Sequence, residues 1–135
     1  MKHLYQYEIK ILLAFEMAIS GDKKFFFWLL DNGYPELAAL SNAIRGNTKA
    51  INWLMKNDYV HYAAFDAASV EDNNAMDWLK AHKYDFYLKL AKACRGDQEA
   101  IGYFNQQNLS IFLRIAHRIK KFVDGQTFDY HKAPF

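Results

Sequence analysis

The chain of 135 residues contains few of the residues that cross-link a fold or interrupt it. It has a single cysteine, two prolines and six glycines. One cysteine excludes an intrachain disulfide and suits a reducing compartment. Few prolines and glycines, together with 17% aromatic residues, differ from the composition of a disordered chain. The sequence therefore predicts one ordered domain spanning 1–135.

Long apolar runs and a strong charge of either sign are also lacking. No apolar segment reaches the roughly 20 residues that span a bilayer, and the first residues are too polar for a secretory signal. Lysine and arginine number 17 against 15 aspartates and glutamates, a formal net charge of +2. This balance is far from the broad basic stripe of a dedicated nucleic-acid binder. We expect a cytoplasmic protein that makes no membrane contact.

What the sequence does have is a repeat with a period of 25 residues, marked by one aromatic residue in each unit: Trp28, Trp53, Trp78 and Tyr103. A fixed period between about 20 and 50 residues is typical of stacked repeat proteins. The predicted units are 9–33, 34–58, 59–83 and 84–108, followed by a half repeat 109–123 and a tail 124–135.

Each unit is predicted to form two short helices. In the second unit, apolar residues from Tyr34 to Ile44 recur at helical spacing. Gly46 can end this first helix in a left-handed conformation, and Asn47 can cap the next helix. That second helix is apolar nearly all round, so we expect it to be sandwiched between its neighbours. In the third unit Glu71 replaces the glycine, so its turn either closes without glycine or has another shape.

The predicted fold class is all-α, an α-α superhelix: a solenoid of short antiparallel helix hairpins. No segment alternates with the period of a β-strand. An exit turn is expected at Asp124–Gly125. The predicted helices span 3–20, 23–32, 34–45, 48–57, 59–70, 73–82, 84–95, 98–107 and 109–123.

These units resemble the repeats of one known family. The segment from Ala43 to Tyr59, with Ala-Ile-Arg-Gly-Asn followed by an apolar helix, resembles the helical part of an ankyrin repeat, and so do Ala18 to Tyr34 and Ala93 to Leu109. The period of 25 is shorter than the ankyrin period of about 33, and the missing length matches the β-hairpin of that family. The resemblance implies an ankyrin-like helical repeat without β-hairpins. It also implies protein binding through the surface of the inner helices.

Residues that could carry chemistry are few. Cys94 shares its repeat position with Ile19, Ile44 and Ser69, so we interpret it as a buried small hydrophobe rather than a nucleophile. The five histidines lack zinc-site spacing, and Asp129 and His131 in the tail lack a nucleophile to act with. The repeated tryptophans are interpreted as core residues rather than as stacking platforms for bases or sugars. We therefore predict no enzyme activity, no metal and no cofactor.

One surface remains as a candidate site, because two positions of the first helix turn basic in the last units. Its residues are Lys89, Lys92, Arg114, His117, Arg118 and Lys121. The leading hypothesis is a non-catalytic protein–protein interaction module whose partner presents an acidic patch to the first-helix face. The alternative is nucleic-acid binding through the same basic C-terminal end. An ordinary solvated helix face and an enzyme or toxin using His117 and His131 stay open at this point.

Overall fold

The computed structural model describes the backbone of residues 3–130 and the side chains of residues 3–125. In this part of the chain the secondary structure is entirely helical, which confirms the all-α prediction. A 3₁₀ turn covers Leu4–Gln6. The α-helices are α1 (Ile9–Ile19), α2 (Lys23–Asp31), α3 (Pro35–Ile44), α4 (Thr48–Lys56), α5 (Val60–Ser69), α6 (Asn73–Ala81), α7 (Asp85–Cys94), α8 (Gln98–Gln106) and α9 (Ser110–Tyr130).

The predicted helix boundaries agree within one residue for α2 to α8 and differ at the two ends of the chain. The predicted first helix is broken, because Tyr7 and Glu8 have extended backbone before α1 begins at Ile9. Leu4 and Tyr7 are both buried in this segment. The predicted exit turn at Asp124–Gly125 is wrong, since α9 continues to Tyr130. A glycine inside a helix costs only about 1 kcal/mol relative to alanine, which does not stop a helix.

All the turns between consecutive helices of the described chain share one construction. Each contains one residue with positive φ, and at four of the turns this residue is Asp58, Glu71, Lys83 or Asn108 rather than glycine. Glu71 has φ 73°, beside 91° at the equivalent Gly46. The turn at Glu71 in the third unit therefore has the same left-handed conformation as the turns that contain glycine. The predicted N-caps of the second helices are confirmed, because the side chains of Asp22, Asn47, Asp72 and Asp97 each accept a backbone hydrogen bond.

The second helices have the expected neighbours on either side, but they bury one face only, so they are not covered nearly all round. Each of them packs in the groove between two consecutive first helices, as α2 does between α1 and α3. Its fully buried residue is the one after the marker aromatic: Leu29, Leu54, Leu79 or Phe104. Trp28 is 37% exposed, and Trp53, Trp78 and Tyr103 are half-buried. The tryptophans therefore border the core, with one side open to solvent.

The first helices form a closed ring. Consecutive first helices pack side by side from α1 through α3, α5 and α7 to α9, and α9 packs in turn against α1. The hairpins therefore follow one another as in a solenoid, as predicted, but the two ends of the series meet. The N-terminal segment holds this arrangement at one end of the ring, where the backbone N–H of Leu4 donates to the Tyr87 hydroxyl at 3.1 Å. The sequence analysis did not predict this closure.

Candidate interaction surfaces

Two of the six predicted partner-binding residues form the seam between α1 and α9. Arg114 Nε donates to Glu16 Oε1 at 2.8 Å, and Arg118 Nε donates to Glu16 Oε2 at 2.7 Å. The arginine side chains are 60% and 32% exposed, whereas the Glu16 side chain is 3% exposed. Burial alone would raise the pKa of the Glu16 carboxyl, but the hydrogen bonds from both arginines outweigh it and lower the pKa. Both arginines therefore link α9 to α1 through Glu16.

The other four predicted residues are spread over α7 and α9. The Lys89 ammonium lies 3.8 Å from the centroid of the Tyr103 ring, and Lys92 is half-buried. His117 and Lys121 are exposed on α9. The six residues are basic, but the carboxylate of Glu16 forms ion pairs with two of them, Arg114 and Arg118. That a partner binds here stays a prediction.

An exposed apolar patch on α2 was missed by the sequence analysis. It consists of Phe27, Trp28 and Leu30, which are 54%, 37% and 41% exposed, and we call it the α2 patch. At the repeat position of Phe27 the later second helices carry Asn52, Asp77 and Gly102, and at that of Leu30 they carry Met55, Lys80 and Asn105. The fold does not require apolar side chains at these positions. This comparison between repeats was the sequence signal that could have revealed the patch.

A groove of about 330 Å³ adjoins the α2 patch where the turn between α1 and α2 meets the end of α3. Phe26 and Phe27 form its aromatic wall, with ring centroids 5.3 Å apart. Lys23 and Arg45 bring two cations to the same groove. Arg45 is fixed there, since its Nη1 donates to the Ile19 carbonyl at 3.0 Å and its guanidinium lies 4.8 Å from the Phe122 ring centroid.

A buried aromatic cluster surrounds His61 at the end of the ring where the first helices begin. His61 is 1% exposed, and its ring centroid lies 4.6 Å from that of Tyr62 and 5.1 Å from those of Tyr84 and Tyr87. Its Nε2 has no hydrogen-bond partner among the described residues. Burial, and then the nearby charge of His3, lower the pKa of His61 to about 4. The imidazole is therefore neutral at physiological pH and packs as an aromatic ring.

A cavity of about 520 Å³ lies beside this cluster, between the N-terminal segment, the start of α7, and α8. Its walls are largely aromatic, and Lys83 and Asp85 also line it. The aromatic residues that line it are His3, Tyr5, Tyr84, Phe86, Tyr87 and Tyr103. Leu109, the first residue before α9, completes the lining. This is the most aromatic of the concave surfaces described above.

The side chains suited to covalent or metal chemistry are dispersed or buried. Cys94 is 3% exposed, as predicted, and burial raises the pKa of its thiol. Among the described residues no group of three or more His, Cys, Asp or Glu could hold a metal ion. The predicted tail pair of Asp129 and His131 lies outside the side chains that the structure describes.

Comparisons with known proteins identify no family for this chain, so a function has to be argued from the geometry. No protein-family model, curated protein or solved structure gives a significant match to this chain. No described helix, including the 21 residues of α9, is long and apolar enough to cross a membrane. The described residues form an all-helical domain whose short helices pack in sequential pairs.

Proposed function

We propose that the chain is a non-catalytic protein-binding module that docks its partner through the α2 patch. The observation that carries the proposal is the exposure of Phe27 and Leu30 at positions where the later repeats place mostly polar residues. Exposed apolar patches rimmed by polar residues are typical of interaction sites. Large aromatic side chains supply much of the binding free energy at such sites.

The charges around the patch favour an acidic partner. Lys23 and Lys24 are exposed on α2, and Arg45 is exposed at the end of α3. The groove next to Phe27 contains Lys23 and Arg45 together with one acidic residue, Asp22. Carboxylates on a partner would gain long-range attraction and a faster association rate from these cations. Lys92 on α7 and Lys121 on α9 add further cations to the chain.

The ankyrin-like pattern of the units supports the same class of function. Ankyrin-like stacks bind proteins, and here the contact has to use helix surfaces because residues 3–130 form no β-hairpin. Both Phe27 and Leu30 lie on the solvent side of α2, next to the fully buried Leu29. Contact there would leave the core of the ring undisturbed.

The experiment compares the wild type with the double variant Phe27→Asn and Leu30→Asn. Asparagine already occupies the same repeat positions at Asn52 and Asn105, so the fold should be retained. Proteins captured from an extract of the source cells are identified, and the affinity of the purified partner is measured. We expect the double variant to bind at least about tenfold more weakly, a loss that two interface side chains commonly cause.

The matched control reverses charge elsewhere, at Lys92→Glu and Lys121→Glu. If this control loses the partner while the α2 variant keeps it, the contact surface is the basic end of the ring and not the α2 patch. A salt titration separates the nucleic-acid alternative, because binding driven by phosphates falls steeply as salt rises. Capture of nucleic acid alone, with that salt dependence, would overturn the proposal.

A further inference from the structure

The fourth repeat departs from a stacking pattern that the first three share. In those repeats the tryptophan of the second helix stacks on the tyrosine of the next turn: Trp28 on Tyr34, Trp53 on Tyr59 and Trp78 on Tyr84, with centroids 5.6–6.2 Å apart and planes 8–15° apart. In the fourth repeat the two positions carry Tyr103 and Leu109. Tyr103 therefore has no ring at the place where its counterparts find one.

The 520 Å³ cavity lies at this place, since both Tyr103 and Leu109 line it. Its opposite wall comes from the N-terminal segment, which is not part of the repeat. Tyr87 anchors that segment, because its hydroxyl lies 3.1 Å from both the Leu4 backbone nitrogen and His3 Nδ1. The ring of Tyr5 packs edge-on against Phe86 at 4.9 Å. These contacts form the wall before any ligand arrives, and the volume lies within the roughly 300–1,000 Å³ of small-molecule sites.

We propose that this cavity binds a small, planar, electron-rich aromatic molecule of one or two rings, which takes the place of the tyrosine ring missing at Leu109. Tyr103 offers a ring face for stacking, whereas the ring of Tyr84 already stacks on Trp78 and on His61 and offers its edge. Aromatic pairs prefer such offset-stacked and edge-to-face arrangements. Lys83 lines the cavity, and the Lys89 ammonium already lies over the Tyr103 ring. Cations at this distance attract the electron-rich face of an aromatic ring. The site is separate from the α2 patch and does not depend on it.

The first test compares phenol with cyclohexanol, which has a similar size and the same hydroxyl but no aromatic ring. Binding of each is followed by two-dimensional NMR of the labelled full chain. We expect phenol to bind with a Kd of about 1 mM or below and at least about tenfold more tightly than cyclohexanol. The shifts should concentrate at Tyr84, Tyr103 and Leu109. Equal affinities for the two compounds, or no phenol binding in this range, would overturn the proposal.

The second test uses Leu109→Tyr, which restores the residue found at this position in the three preceding units. The new ring should occupy the part of the cavity beside Tyr103 that the ligand would take, so the variant should fold, melt no lower than the wild type, and bind phenol at least about tenfold more weakly. Wild-type affinity in the folded variant would refute the proposed site. Leu30→Asn on the distant α2 is the matched control and should leave phenol binding unchanged.

A third variant covers the case in which Leu109→Tyr does not fold. Tyr103→Leu removes the stacking face but keeps an apolar side chain at the half-buried position. It should reduce the phenol affinity to that of cyclohexanol and leave the cyclohexanol affinity unchanged. If phenol binds this folded variant as tightly as it binds the wild type, the ring of Tyr103 is not part of a ligand site.

Discussion

The seam at Glu16 is the contact whose removal tests the closed ring most directly. Glu16→Gln keeps the size of the side chain and removes the charge that accepts from Arg114 at 2.8 Å and from Arg118 at 2.7 Å. A hydrogen bond to a charged group contributes about 1.5–3 kcal/mol. Because the arginine side chains are 60% and 32% exposed, water can replace part of what they lose. We therefore expect the free energy of unfolding to fall by about 1–3 kcal/mol.

Urea denaturation of a double-mutant cycle measures this contribution. The cycle contains Glu16→Gln, Arg118→Gln and both changes together, and it isolates the coupling between the two side chains. Hydrogen exchange gives an independent observable: amides of α1 and α9 should exchange faster in Glu16→Gln, while those of α4 and α5 should change least. A coupling energy near zero, with unchanged exchange in α1 and α9, would show that the seam does not hold the ring closed.

The pH dependence of the same variant has a definite sign. The folded-state pKa of Glu16 lies below its usual value of 4.5, so its contribution to stability is present above about pH 4.5 and is lost as the pH falls through the lower folded pKa. The difference between wild type and Glu16→Gln should therefore be constant near neutral pH and shrink in acid. A difference that grows on acidification would contradict the assignment of an ionised, arginine-bound carboxylate.

Three further changes test other parts of the reasoning by denaturation experiments. Glu71→Gly should raise the free energy of unfolding by about 0.5–1 kcal/mol, because Glu71 has φ 73° and a side chain is strained there; a loss would contradict this. Burial raises the pKa of Asp66 to about 7, so the wild type should lose stability as the pH rises from 4 to 7. The variant Asp66→Asn should therefore melt at a higher temperature than the wild type at pH 8 but not at pH 4. Leu54→Ala should cost about 2–5 kcal/mol and more than Trp53→Ala, because Leu54 is fully buried; the reverse order would place Trp53 in the core.

The local architecture could be predicted from the sequence because it depends on local physics. Helical spacing, N-cap residues and turn residues act over a few positions, and the repeat presents each signal several times. Even Glu71 follows its repeat position and adopts the left-handed conformation of the glycines. The N-terminal segment was predicted wrongly because it lies outside the repeat. Its break at Tyr7 depends on Tyr7 donating a hydrogen bond to Glu36, a residue 29 positions away.

The candidate site was harder to predict because exposure depends on which side of a helix has a neighbour. The second helices were expected to be sandwiched between their neighbours, so the exposure of Phe27 and Leu30 was not predicted. In the structure only the side containing Leu29 is covered. The arginines of α9 were assigned to a binding face for a related reason. Glu16 lies 98 residues before Arg114 and 102 before Arg118, and no local sequence pattern links it to either arginine.

The closure itself follows from a problem that every repeat protein has to solve. The terminal units of an open stack expose the apolar face that an inner unit would cover, so such stacks usually end in polar caps. Here α1 buries Ile11 and Leu12, and α9 buries Ile115 and Ile119. Because α9 packs against α1, each end of the series helps to cover the other. The fifth first helix is then a structural requirement rather than an incomplete repeat, because without it α1 and α7 would each lose a neighbour.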